Sequence, residues 1–199
     1  MNTPAAGPIV VGIDGSAAAT EAACWAAREA AVRGVPLRLV TALNDGDGAD
    51  QQLERQYAET CLREASAAVG RVEDTVSIDT AILGGNASAA LIEQSRTADM
   101  VVVGSVGIGR IARAVLGSTA SDVAVGSQCP VAVIRHRGTS DGPALTWIAV
   151  GVGARTDDAV IETAAREARL RGAALLAVGV WDSDFGDTPY DELDRRMTE

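Results

Sequence analysis

At 199 residues and 47% hydrophobic content, the chain has apolar material for one buried core and a remainder, which excludes a largely disordered protein. Its formal charge is −10 and every basic residue is an arginine; with 15 acidic to 11 basic side chains up to Ser140 and 12 to 6 beyond it, neither part offers the positive field that nucleic acid requires. No run reaches the roughly 18 apolar residues of a membrane span, and no basic segment leads into an apolar one at the start, so the sequence predicts a cytoplasmic protein with no membrane partner.

After a short leader, Pro8 to Asp14 reads as a strand, with proline at its first position where a missing donor is tolerated. Gly15-Ser16 turns the chain, and Ser16 or Thr20 caps a helix that runs to Arg33 and stops at Gly34. Ala22, Trp25, Ala26, Ala30 and Val32 mark its packing side. Val35 to Leu43 is a second strand. Asn44 to Asp50, NDGDGAD, reads as a solvated loop, because no twelve-residue array ending in glutamate completes a calcium site.

Gln51 to Val69 is a second helix, with Leu53, Tyr57, Cys61, Leu62, Ala65 and Ala68 at mixed three and four spacing. Arg71 to Thr80 alternates: Val72, Val76 and Ile78 to one side, Glu73, Ser77 and Asp79 to the other, with a slip at Asp74-Thr75 read as a bulge. That pattern predicts an edge strand. Gly84-Gly85 loosens the connection, and Asn86 or Ser88 caps a third helix to about Arg96.

The stretch Met100 to Ser118, MVVVGSVGIGRIARAVLGS, organises the rest. Met100 to Val103 is a buried parallel strand. Gly104, Gly107 and Gly109 let the backbone turn tightly and expose successive N–H groups. Ile111 to Leu116 starts a helix that Gly117-Ser118 interrupts or re-enters. Strand, glycine loop and helix N-terminus make a place for phosphate, and the same spacing also serves a tight turn with no ligand. The helix continues to Gly126 with Ala114, Val115, Val123 and Ala124 inward. Gln128-Cys129-Pro130 leads into the strand Val131 to Ile134, uncharged until Arg135. The three cysteines lack metal-ligand spacing, and Cys24 reads as a small buried hydrophobe. Alternation of five strands with four helices predicts an α/β fold, a parallel sheet with helices on both faces and right-handed crossovers.

Gly104-x-x-Gly107, nine residues and then Gly117-Ser118, together with PIVVGIDGS around Asp14 and CPVAVIR from Cys129, resembles the nucleotide-binding signature of the universal stress protein family. The likeness covers about Pro8 to Arg135. It implies an ATP-binding, UspA-like protein and an adenine nucleotide alpha hydrolase-like sheet of order 3-2-1-4-5. The Asp14 and Met100 strands are then central neighbours, with the ligand beyond their carboxyl ends.

The resemblance implies that Asp14 accepts hydrogen bonds from ribose or adenine; its alternative role is to start the helix. Gly12, Val40 and Thr41 would lie near the base. Gly104, Ser105, Gly107, Gly117 and Ser118 would serve the phosphates, with Arg110 as their charged neighbour unless it is solvated like Arg113. Mg2+ between the phosphates is allowed, with no protein carboxylate assigned to it. No catalytic residue and no protein metal site are expected. The chain has no lysine, hence no GxxxxGK[ST] loop, and its single histidine, His136, lies beyond the last strand. Slow ATP hydrolysis is the most that follows.

The pattern then begins again. IAVGVGARTDDAVIETAAREARLRGAALLAVGVW from Ile148 parallels IVVGIDGSAAATEAACWAAREAAVRGVPLRLVTAL from Ile9, and REARLRG from Arg166 matches REAAVRG from Arg28. The expected organisation is a complete domain at 8–137, a linker at 138–144 and an incomplete second copy at 145–199, strand, helix, strand, truncated from a longer tandem. Gly153-Ala154-Arg155 stands where the first copy has Asp14-Gly15-Ser16, so the second copy lacks the acidic site group. The expected function is a nucleotide-responsive regulatory or stress-response homodimer, pairing through the Val131–Ile134 strand, with little or no turnover. The alternatives are a structural interaction domain working through its edge strand, and, more weakly supported, a nucleotidyl transferase or electron-transfer flavoprotein relative.

Overall fold

The computed structural model describes residues 7–43, 49–105, 116–135, 147–153 and 156–179. The chain divides into two compact units, Met1–Thr139 and Ser140–Glu199.

In the first unit the described elements are β1 (Ile9–Gly12), α1 (Ala17–Arg33), β2 (Leu37–Leu43), α2 (Ala49–Val72), β3 (Ile78–Gly84), α3 (Ala87–Gln94), β4 (Met100–Gly104), α4 (Ser118–Gly126) and β5 (Val131–Ile134). All strand pairs are parallel, and the sheet order is β3-β2-β1-β4-β5, as expected. The period of two along each strand divides the core in two. Ile9, Val11, Leu37, Leu39, Met100 and Val102 face α1 and α2, where Ala22, Ala26, Ala30, Leu62, Ala65 and Val69 meet them. Val10, Val40, Val101 and Val103 face the other way, against Leu91 of α3 and Ala120 and Val123 of α4. β1 and β4 therefore carry no polar side chain, because both faces are covered.

Helix α1 packs through alanines, and a side chain of one carbon brings its backbone close to the sheet. Its far end is tied down electrostatically. Arg33 Nε donates to Glu29 Oε1 at 2.7 Å and Arg33 Nη1 to Asp99 Oδ2 at 3.0 Å, with Glu29 and Arg33 largely buried. Asp99 N–H in turn donates to the Pro8 carbonyl at 3.0 Å, so the helix end and the entrances of β1 and β4 form one joint.

Two readings need correction. The edge strand is not Arg71 to Thr80. Helix α2 runs on to Val72, Glu73 N–H still donates to the Val69 carbonyl, and Glu73 Oε1 accepts from Thr75 N–H and Oγ1, closing a turn where a bulge was expected. The strand begins at Ile78 and extends through Gly84 because β2 offers a seven-residue partner, Leu37↔Ile78 to Leu43↔Gly84. It is an edge strand all the same. Second, Val32, Leu53, Tyr57 and Ala124 are exposed rather than packed. For Val32, Ala22, Ala26 and Ala30 at spacing four already occupy the face toward the sheet. At the glycine loop, Leu116 and Gly117 are not helical and α4 begins at Ser118, while the expected start at Ile111, with Ala114 and Val115, lies outside the described residues.

The second unit contains β6 (Trp147–Val152), α5 (Asp158–Arg171) and β7 (Ala174–Gly179), with β6 and β7 paired in parallel. Asp157 caps α5 by accepting from Ala159 N–H at 3.0 Å; Ala164 and Ala168 of α5 and Val150 of β6 are buried. Every residue of β7 is exposed.

Candidate functional site

The strand order reverses between β1 and β4, whose connections leave to opposite sides, and this opens a crevice beyond their carboxyl ends. A cleft of about 260 Å³ lies there. Its floor is the ends of β1 (Gly12, Ile13, Asp14) and β4 (Val103, Gly104). One side is made by Val40, Thr41 and Ala42 of β2 with Leu83 of β3, and the other by Gly117 to Ala120 of α4. Ala87, Ala90 and Leu91 of α3 wall it, and Ser16 and Ala19 of α1 border it.

The lining is graded chemically. The β2, β3 and α3 side is mostly apolar, whereas the α4 side offers backbone N–H groups and the hydroxyls of Ser118 and Thr119. Helix α4 is unusual in how it starts. Helices α1, α3 and α5 have side-chain caps from Ser16, Asn86 and Asp157. Gly117, the N-cap of α4, supplies none, so the positive end of the helix opens into the cleft with no side-chain acceptor at its cap. An anion placed there would take up the N–H groups that no cap satisfies.

Asp14 is exposed at the end of β1. Its Oδ1 accepts from Ser16 N–H at 2.9 Å, and Ser16 Oγ accepts from Ala19 N–H at 3.1 Å, which makes Ser16 rather than Thr20 the helix cap. The aspartate therefore starts the helix and lines the cleft at once: Oδ1 holds the turn, and Oδ2 has no partner among the described residues.

The glycines of the site differ in what they do. A Cβ on Gly104 would lie 2.9 Å from the Ala18 carbonyl carbon and 3.1 Å from Ala19 N, so this glycine lets β4 pass close under the start of α1. A Cβ on Gly12 would meet Leu91 Cδ1 at 3.0 Å. Gly117 has φ −64°, open to any residue, and its N–H donates to the Ser105 carbonyl at 2.9 Å.

Of the residues expected at a site, Gly12, Asp14, Val40, Thr41, Gly104, Gly117 and Ser118 come together around this cleft. Ser105 does not line it. It is buried behind, its N–H donating to the Ile134 carbonyl at 2.8 Å and its carbonyl holding Gly117, so it anchors the approach to α4. Gly107 and Arg110 lie outside the described residues. Sequence reasoning missed Thr119, Leu83 and the α3 wall. Thr119 was findable, since it follows Gly117-Ser118 in the first turn; Leu83 was assigned to a connection. Among the described residues no group of three or more His, Cys, Asp or Glu side chains could hold a metal ion, and no helix is long and apolar enough to cross a membrane.

Residues 6–135 match the model of the universal stress protein family. A universal stress protein of Mycobacterium tuberculosis strain H37Rv is 44% identical over 194 residues, covering 96% of this chain and 71% of that protein. Among solved structures, a universal stress protein in complex with cAMP is 29% identical with a TM-score of 0.55, covering 64% of this chain and 96% of the other. The universal stress protein of Archaeoglobus fulgidus in complex with dAMP is 25% identical with a TM-score of 0.50, covering 64% and 96%.

Proposed function

The chain belongs to the universal stress protein family, and from that premise we propose that its cleft takes an adenine nucleotide, ATP, as the signal of a regulatory stress-response protein. The observation that carries this is the helix α4 N-terminus, opening into the cleft without a side-chain cap at Gly117. Phosphates belong at that end, and the base belongs against Val40, Leu83 and Leu91, with Asp14 accepting from the nucleoside between them. The complexes of two relatives with cAMP and dAMP support an adenine ligand. The sequence pattern adds Gly107 and Arg110 to the phosphate end of the site. Mg2+ would arrive with those phosphates. The chain binds and releases rather than turning over, in keeping with a sequence that has no lysine to form a GxxxxGK[ST] loop.

Gly117→Val tests this. The φ of Gly117 suits valine, so the backbone takes the substitution without strain, while the branched Cβ is placed to block the approach of phosphate. Calorimetric titration is expected to show ATP affinity falling by about tenfold or more, and hydrolysis by the unaltered chain slower than roughly one per second. Unchanged affinity in the variant would remove the α4 start from the site.

The second part of the proposal is a homodimer formed through β5. This strand is an edge of the sheet with four apolar residues and no charge, and among the described residues no strand pairs with its outward side. Val133→Lys is expected to shift the mass measured by light scattering from dimer toward monomer without changing ATP affinity. An unchanged mass rejects this edge as the interface.

A further inference from the structure

The turn that presents Asp14 is covered from outside by helix α2. Gly15 has φ +85°, and a Cβ built on it would lie 2.5 Å from the Tyr57 hydroxyl, 2.7 Å from the Cys61 sulfur and 3.2 Å from Tyr57 Cζ. Tyr57 and Cys61 are four residues apart on one face of α2. Cys61 is buried, but Tyr57 is 52% exposed, so half the ring remains in water and its contribution to the core is small. What the phenol touches is specific. Its hydroxyl and the ring edge behind it rest over the glycine of the turn, beside the Cys61 sulfur. The neighbouring Cys61 thiol is the main reason the Tyr57 proton is held above the ordinary tyrosine range, and the Asp14 carboxylate adds to it.

The turn at Gly15 takes the left-handed conformation that glycine adopts most readily, and among the described residues Asp14 itself is held by one hydrogen bond, from the Ser16 N–H two residues on. We infer that Tyr57 is a positioning residue for the nucleoside end of the cleft: its ring, packed beside Cys61, covers Gly15 and so fixes how Asp14 offers its carboxylate to the ligand. It works through the turn, since Tyr57 does not itself line the cleft. The inference rests on the nucleotide reading above and adds to it a residue on an element outside the binding signature.

The test titrates the 199-residue chain separately with ATP and with adenosine. Tyr57→Ala uncovers the turn and is expected to weaken both probes by the same factor, about fivefold, because Asp14 reads the part they share. Tyr57→Phe keeps the ring over Gly15 and restores affinity to within about twofold of the unaltered chain. A merely structural role would move the melting midpoint and leave the affinity of the folded protein unchanged, and that result overturns the assignment. So does a loss confined to ATP, which would put the effect at the phosphate end. If the unaltered chain binds neither probe, the nucleotide reading falls and this inference with it; if it binds and Tyr57→Ala binds equally well, the positioning role alone falls.

Discussion

Helices α1 and α5 end in the same way. Gly34 N–H donates to the Ala31 carbonyl and Val35 N–H to that of Ala30; in the second unit Gly172 donates to Arg169 and Ala173 to Ala168. Both glycines are left-handed, at φ +67° and +59°, and both helices begin under a side-chain cap. The strands around them pair in the same register, Ile9 against Leu37 and Ile148 against Leu175. Yet Ile9, Leu37 and Leu39 are fully buried, while Leu175, Leu176, Val178 and Trp147 remain exposed. The local code of strand, capped helix and glycine stop is the same in both units and builds the same motif. Burial is not local. In the first unit β1 also pairs with β4, and α3 and α4 cover the second face; among the described residues, β6 and β7 have only each other and α5. The cleft follows the same division, since part of its floor and the helix start without a side-chain cap come from β4 and α4.

The sharpest way to break that comparison is amide hydrogen exchange. Ile9 to Gly12 and Val101 to Val103 lie in a sheet covered on both faces, whereas β6 and β7 lie in a two-stranded ribbon with exposed apolar side chains. The second set is expected to exchange faster, by on the order of a thousandfold, because local opening there uncovers little new apolar surface. Equal protection in both sets would mean that β6 and β7 have a covering layer, and that the two units differ in sequence but not in completeness.

Sequence made legible those features whose cause is local. The stop at Gly34, the fully apolar β4 and the strand Val131–Ile134 each follow from a residue type acting on its neighbours, and the resemblance to a family added the strand order. Where two caps competed, Ser16 and Thr20 or Asn86 and Ser88, the earlier residue wins each time. In both cases it stands directly before the helix, where Ser16 accepts from the Ala19 N–H and Asn86 from those of Ser88 and Ala89. Features with a non-local cause were missed. The polar–apolar alternation of Arg71 to Thr80 is strand-like by itself, but β2 decides where its neighbour lies, and it selects Ile78 to Gly84. The partners of the Ser105 backbone, β5 and Gly117, likewise come only with the sheet order. Of the candidate site, the strand ends and the Gly117-Ser118 step were visible because their chemistry is in the residues named. The apolar wall of Leu83, Ala90 and Leu91 was not, because ordinary core residues become lining only through the sheet order.

A smaller effect sharpens the comparison at one pair of equivalent positions. Gly12 ends β1 and Gly151 occupies the same place in the repeated pattern of β6. Replacing either with alanine reduces the freedom of the unfolded chain, which stabilises by about 0.4–1 kcal/mol wherever the fold has room. At Gly151 a Cβ meets nothing within 4 Å, so Gly151→Ala is expected to leave stability unchanged or raise it slightly. At Gly12 the same carbon lies 3.0 Å from Leu91 Cδ1 and 3.6 Å from Val103 Cγ1, and Leu91 is buried with little space to withdraw. Overpacking of this kind costs about 1–3 kcal/mol and outweighs the entropy gain, so Gly12→Ala is expected to destabilise by roughly 1 kcal/mol. The signs should therefore be opposite in denaturant melts of the two variants. Gly12→Ala also narrows the cleft between β1 and α3, so its ATP affinity should fall with its stability, whereas Gly151→Ala leaves affinity where it was. Equal signs in the two melts would show that the second face of β6 is covered as closely as that of β1.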